Sequence, residues 1–275
     1  MLLANKNAII FGAGGSLGGA VAIALAKEGA KVFLTGHHLT SVKKVADKII
    51  ASRGKAEAAE VDALDEKKVN AYIDSMTTSA GTIDISFNAI GWRDAQNIPL
   101  VDMPLADFLR PITIAMQTQF ITATASARIM IKQGSGVILS LTATPGGIGY
   151  ANVGGFGPAC CAVESFSRDL ASELGPHNVR VINIRSAGSP DSRPFVEALE
   201  NDNQTAKTFL GKMESDTMLK KLPMMKDIAN VACFLVSDLA GKITGVTIDV
   251  TCGKTTALNY KVTNIPFVVK DLHPG

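Results

Sequence analysis

Ala8-Ile9-Ile10-Phe11-Gly12-Ala13-Gly14-Gly15-Ser16-Leu17-Gly18-Gly19 is the stretch on which the fold turns: four apolar residues run straight into a glycine-rich turn, and the helix-forming run Ala20 to Lys27 follows at once. Glycines let a backbone reverse tightly and approach a pyrophosphate, and the amides opening the following helix favour its negative charge. In this strand-to-helix context Gly12, Gly14, Gly15, Ser16, Leu17 and Gly18 are expected to hold a dinucleotide phosphate. The alternative is a turn that needs its glycines for packing alone.

Outward from that turn, short apolar or β-branched runs alternate with helix-length segments. Strands are expected over 8–11, 31–35, 58–61, 83–87, 137–141, 179–184 and 246–250. Near-continuous apolar strands joined by helices imply a parallel sheet buried on both faces, wound by right-handed crossovers. The expectation is therefore an α/β chain with one Rossmann-like, doubly wound domain over 1–253. Ile112, Met116, Phe120, Ala123 and Ala127 recur at helical spacing, as do Ala159, Val163, Phe166, Leu170 and Leu174, so each set is expected to form a buried stripe. Segment 189–222 breaks the pattern with Pro190, Pro194 and Pro223 close by, which suits a helical cover over a cleft. The remainder, 254–275, reads as a C-terminal extension whose apolar patch Ile265-Pro266-Phe267-Val268-Val269 docks on the body or on a neighbouring subunit.

Composition narrows the partners. The chain has 275 residues, a net charge of +2 and 19% charged residues, with no long run of one sign. Neither a nucleic-acid groove nor a membrane-surface helix is indicated, and a small molecule is the expected partner. The N-terminus has no leader-like apolar stretch and no segment approaches the roughly 20 apolar residues of a membrane span, so a soluble cytoplasmic protein is expected. Cys160, Cys161, Cys233 and Cys252 lack metal-ligand spacing and fit reduced thiols; no metal is assigned.

The acidic residue that grips a ribose 2′-hydroxyl about 20 residues past the glycine turn has no counterpart: between Glu28 and Asp47 there is no carboxylate, and the second strand ends Thr35-Gly36-His37-His38. A missing carboxylate removes repulsion toward a 2′-phosphate, and histidine can donate to one, which tilts the expectation from NAD(H) toward NADP(H) with His37 as a contact. Two solvated loop histidines are the alternative.

Gly12 to Gly18, Val61-Asp62, Phe87-Asn88-Ala89-Ile90-Gly91, Glu164 to Pro176 and Ala229 to Gly245 together resemble the short-chain dehydrogenase/reductase family over roughly residues 5–253. The resemblance implies that Asp62 and Ala63 border the adenine, that Asn88 and Ala89 lie along the cofactor, with Asn88 merely terminating a strand as the alternative, and that Gly188, in a Ser186-Ala187-Gly188 segment similar to the enoyl reductase branch, contacts it. It implies a homodimer or homotetramer packed through the two apolar helices. The tract Glu164 to Pro176 sets the register, and in that register the family's catalytic asparagine, serine, tyrosine and lysine fall at Ala115, Ala143, Phe156 and Cys160. None of the four is present. A proton donor must then come from elsewhere, with Thr142 and Tyr150 as candidates and Thr144 beside them. Strand-capping threonines and a solvated tyrosine are the plainer readings. Cys160 and Cys161 read as packing residues more readily than as nucleophiles. Two functions stay open: an NAD(P)(H) oxidoreductase moving a hydride on a small carbonyl or enoyl substrate, and an inactive nucleotide-binding or scaffold protein with the same fold.

Overall fold

A computed structural model describes residues 1–257, so the patch at 265–269 lies outside the described residues. Seven strands, β1 (Asn7–Phe11), β2 (Lys31–Gly36), β3 (Lys55–Glu60), β4 (Ile85–Asn88), β5 (Gly136–Ala143), β6 (Val179–Ser186) and β7 (Thr247–Val250), form one sheet in the order β3-β2-β1-β4-β5-β6-β7. Every neighbouring pair is parallel. Among the described residues eight α-helices connect or follow them: α1 (Ser16–Lys27), α2 (Leu39–Ala51), α3 (Glu66–Ala80), α4 (Leu105–Gln133), α5 (Phe156–Leu174), α6 (Arg193–Asn201), α7 (Asn203–Ser215) and α8 (Met225–Val236). Among the described residues no helix is long and apolar enough to cross a membrane.

Strand alternation divides the core into two layers. Ala8 and Ile10 of β1 face α1, α2 and α8, while Ile9 and Phe11 face α3, α4 and α5, and all four are fully buried. Burial on both faces explains why the strands read as apolar runs rather than as alternations. Winding reverses between β1 and β4, which leaves the carboxyl ends of those two strands uncovered by any crossover.

All seven expected strands exist, with bounds that differ by at most three residues. β3 begins at Lys55, earlier than the apolar run 58–61, because an edge strand needs only backbone pairing with β2 and can carry Lys55, Glu57 and Glu60 outward. The stripe expected on α4 holds at Ala123 and Ala127, which are buried, and is corrected at Phe120, which is exposed; Ile112 and Met116 are half-buried, and Thr118, Thr122 and Ser126 are buried as well. Those hydroxyls bond carbonyls one turn back, Thr118 to Ile114, Thr122 to Thr118 and Ser126 to Thr122, at 2.7–2.9 Å. Satisfied inside the helix, they bury like small apolar groups.

α5 starts where it crosses α4, and Gly155 makes that crossing possible. A Cβ there would lie 1.8 Å from the Phe108 carbonyl oxygen, whereas one on Gly175, also in right-handed helical conformation, would meet nothing within 4 Å. Gly155→Ala should therefore cost about 2–3 kcal/mol and lower the thermal midpoint by roughly 5–10 °C. Gly175→Ala should leave the midpoint unchanged or slightly raised. Calorimetry of the two variants checks the pair.

Candidate functional site

A cleft of about 420 Å³ opens at the uncovered carboxyl ends of β1 and β4 and is floored by the glycine turn. Gly12 adopts φ +79°, and a Cβ on it would sit 2.8 Å from the Ala89 carbonyl oxygen at the end of β4, so the turn and its neighbouring strand close only around glycine. α1 begins after Gly15 with no side-chain cap and no acidic residue in its first turn. Its leading amides are left for an anion, and the helix dipole adds to the attraction. Arg93 and Arg193 stand on the walls of the same cleft. This donor set fits the diphosphate of a dinucleotide.

Six of the expected cofactor residues, Gly12, Gly14, Gly15, His37, Ala63 and Ala89, line the cleft together. Ser16, Leu17 and Gly18 form the first turn of α1 behind it. Asp62 stands at the rim with its carboxylate 3.9 Å from His37 Nε2, and the rings of His37 and His38 meet edge-on at 4.8 Å. Asn88 is turned inward: its amide donates to Thr122 Oγ1 and its carbonyl accepts the Ile90 N–H, both at 3.0 Å, so the side chain ends β4 rather than facing the cleft. Gly188 lies under the cover, where a Cβ would strike Met213 and Phe195. One residue on, Ser189 Oγ is buried and has no hydrogen-bond partner among the described residues.

Arg93, Arg193, Ser41 and Thr118 also line the cleft and escaped the reading of the sequence. Arg193 reaches it from 177 positions beyond Ser16, a distance over which no local pattern speaks. A second signal was also hidden. β2 carries no carboxylate at its end, yet β3 brings Glu60 to the same rim, where Glu60 accepts the Leu39 N–H at the start of α2 at 3.2 Å.

Ala115, Ala143, Phe156 and Cys160, the four positions onto which the resemblance maps catalytic groups, do come together, in a closed apolar cluster. Ala115 and Cys160 are fully buried with Ala159, Val163 and Trp92, and Ala143 and Phe156 pack against them. The Trp92 and Phe156 rings are tilted against each other with centroids 5.3 Å apart. Burial pushes the Cys160 thiol up to about 12, so it stays protonated and is neither a nucleophile nor a useful acid at neutral pH.

Behind this cluster runs a buried polar chain. Ser167 and Ser140 share a hydrogen bond at 2.7 Å, Ser140 donates to Asn183, Asn183 donates to Thr142 at 2.7 Å, and Thr142 donates to Glu164 at 2.8 Å. Glu164 is held in turn by the Arg185 guanidinium through two hydrogen bonds of 3.0 and 2.5 Å. Thr142 Oγ1 is thus engaged as donor and acceptor inside the core, and the structure does not bring it to the cleft. Thr144 is also buried, donating to the Ser186 carbonyl. Tyr150 differs: it is 37% exposed on the loop between β5 and α5, and the Lys254 ammonium lies 5.8 Å from its ring centroid. Lys254 is itself buried and paired with Asp216 at 2.8 Å.

A family model described as enoyl-(acyl carrier protein) reductase matches residues 12–255. The chain is 31% identical over 258 residues to a 7alpha-hydroxysteroid dehydrogenase of Escherichia coli (strain K12), covering 94% of this chain and 97% of that one. It is 30% identical over 256 residues to a levodione reductase of Leifsonia aquatica, covering 90% and 94%. Among solved structures, an NAD+-bound xylitol dehydrogenase superposes with a TM-score of 0.85 at 26% identity over 92% of this chain and all of the other. A levodione reductase superposes with a TM-score of 0.86 at 25% identity over 93% of this chain and all of the other.

The cluster makes a chemical prediction. Cys161 is exposed one residue from buried Cys160. Iodoacetamide at pH 8 should alkylate Cys161 and spare Cys160 until the chain is unfolded, as peptide mass spectrometry would show; rapid native labelling of Cys160 would contradict the closed cluster.

Proposed function

The chain belongs to the short-chain dehydrogenase/reductase family, and on that footing we propose that it is an NAD(P)(H)-dependent oxidoreductase acting on a small apolar carbonyl or enoyl substrate. The observation that carries the reading is the uncapped, uncharged start of α1 beneath a cleft with two arginines on its walls. Relatives named as dehydrogenases and reductases support it. The hydride is the chemistry that a bound nicotinamide supplies. The chain supplies grip, a proton and exclusion of water.

Grip comes from the α1 amides, with Arg93 and Arg193 offering positive charge to the phosphates. At the ribose end His37, His38 and Ser41 offer donors to a 2′-phosphate, which favours NADP(H) over NAD(H). The proton donor is assigned to Tyr150, a residue 37% exposed on the loop between β5 and α5. A phenol is a stronger acid than an aliphatic hydroxyl, and Thr142 is confined to the core chain. Lys254 over its ring fixes the ring in place through a cation-π contact. Exclusion of water falls to the cover, whose inner side carries Phe195, Leu199, Leu210, Met213 and Leu222. Exposed Phe120 on α4, 6.3 Å from Phe166 on α5, supports a homodimer or homotetramer through these helices. Free cysteines accord with a reducing cytoplasm.

A panel of alcohols, ketones and enoyl thioesters should reveal turnover with NADPH preferred to NADH. Tyr150→Phe should lower kcat by roughly 10²–10⁴, the range typical for a positioned acid, and leave the dinucleotide Kd unchanged. An unaltered kcat would reject Tyr150 as donor. Dinucleotide binding without turnover on any substrate would select the inactive alternative.

A further inference from the structure

The cover is fastened to the rest of the molecule at its two ends and scarcely between them. α6 has no buried residue. Its inner side packs only within the small cluster of Phe195, Leu199, Leu210 and Met213 near Ala187 and Leu222. At the far end Asp216 is held by Lys254 at 2.8 Å, and the Leu219 N–H reaches the Cys252 carbonyl at 3.2 Å. At the near end Arg193 N–H, the first of α6, donates to Ser16 Oγ at 2.9 Å. Ser16 is the first residue of α1, directly behind the Gly14-Gly15 floor of the cleft. Among the described residues, this is the one hydrogen bond that joins α6 to the nucleotide-binding turn.

We propose that Ser16 and Arg193 form a latch that the diphosphate of the dinucleotide tightens, so that the cover is closed by the phosphate half of the cofactor and not by its nicotinamide. The inference rests on the NAD(P)(H) reading of the cleft. A serine hydroxyl has one proton to give and two lone pairs to receive. With one lone pair taken by Arg193 N–H, the Ser16 O–H points its proton at whatever acceptor enters the turn. A phosphate oxygen there makes Ser16 donor and acceptor at once, and each bond of such a relay polarises and strengthens the other. Arg193 contributes twice. Its backbone is the latch, and its exposed guanidinium, 3.8 Å from Glu197, is a weak surface pair that a diphosphate can draw into the cleft. A short root holds the latch in place: the Met225 N–H at the start of α8 donates to the Asp191 carboxylate at 3.0 Å, so the loop before α6 cannot drift.

Two substitutions at one position separate backbone from side chain. Arg193→Pro deletes the latch N–H at the first helical position, where proline is tolerated, and Ser192 already has the extended conformation that must precede proline. Arg193→Ala keeps the N–H and removes only the guanidinium. Hydrogen exchange across 195–201 reads opening of the cover, with calorimetry fixing saturation by ADP-ribose or its 2′-phosphate, NADPH, or nicotinamide mononucleotide. Wild type should be slowed about equally by the ADP-ribose ligand and NADPH and not by the mononucleotide, which lacks the diphosphate. Arg193→Pro should exchange about five-fold faster without ligand, as loss of one ordinary hydrogen bond implies, and should bind nucleotide without being slowed. Arg193→Ala should raise the dinucleotide Kd, since the guanidinium is lost, and once saturated should keep the slowing, since the N–H remains. Protection by NADPH alone, or by the mononucleotide, would overturn the latch, as would Arg193→Pro that behaves as wild type. If no nucleotide binds at all, the cofactor reading falls and the latch with it; if nucleotides bind and never protect the cover, only the latch falls.

Discussion

Winding of the sheet reverses between β1 and β4, and this reversal governs what the molecule can do. Crossovers leave β1 toward one edge and β4 toward the other, so no connection covers the two strand ends between them. A crevice is unavoidable there. What fills it is decided by the turn after β1, where Gly12 packs against the Ala89 carbonyl and α1 begins without a capping side chain. Uncapped amides at the base of a crevice ask for an anion.

The two halves of the site are built on opposite terms. The nucleotide half is polar, open and rimmed by His37, Arg93 and Arg193. The other half, onto which the family resemblance maps the catalytic positions, is closed by Trp92, Ala115, Phe156 and Cys160. Such a replacement has to be collective. A lone buried donor or cation left among apolar neighbours would lack a partner and would destabilise the fold. The polar chain from Ser167 through Thr142 to Glu164 and Arg185 shows the converse: every member is satisfied, so charge persists a turn away from the closed cluster.

Strand positions were legible because burial on both faces leaves long apolar runs, and the helix over 156–174 because its apolar residues recur at regular spacing. The stripe of α4 was only partly so, because Thr118, Thr122 and Ser126 hide their hydroxyls against their own helix and bury as alanine would. Motif spacing located the glycine turn and, through Glu164, the four vacant positions. It could not locate Arg193, Glu60 or Lys254, since each reaches the site by tertiary placement rather than by proximity in the chain. Asn88 and Thr142 show the opposite limit: a residue can hold a suggestive position and spend its hydrogen bonds on the core.

Dinucleotide binding at the reversal point is the claim on which everything else stands, and thermal unfolding against nucleotide concentration tests it most directly. A ligand held only by the folded chain stabilises it by about 2.7 kcal/mol at 100 times its Kd. For a chain of this size that raises the midpoint by roughly 5–10 °C. NADPH should produce this rise in a concentration-dependent way, with NADH needing higher concentrations. A midpoint that stays fixed in millimolar NADPH and NADH alike would contradict the account.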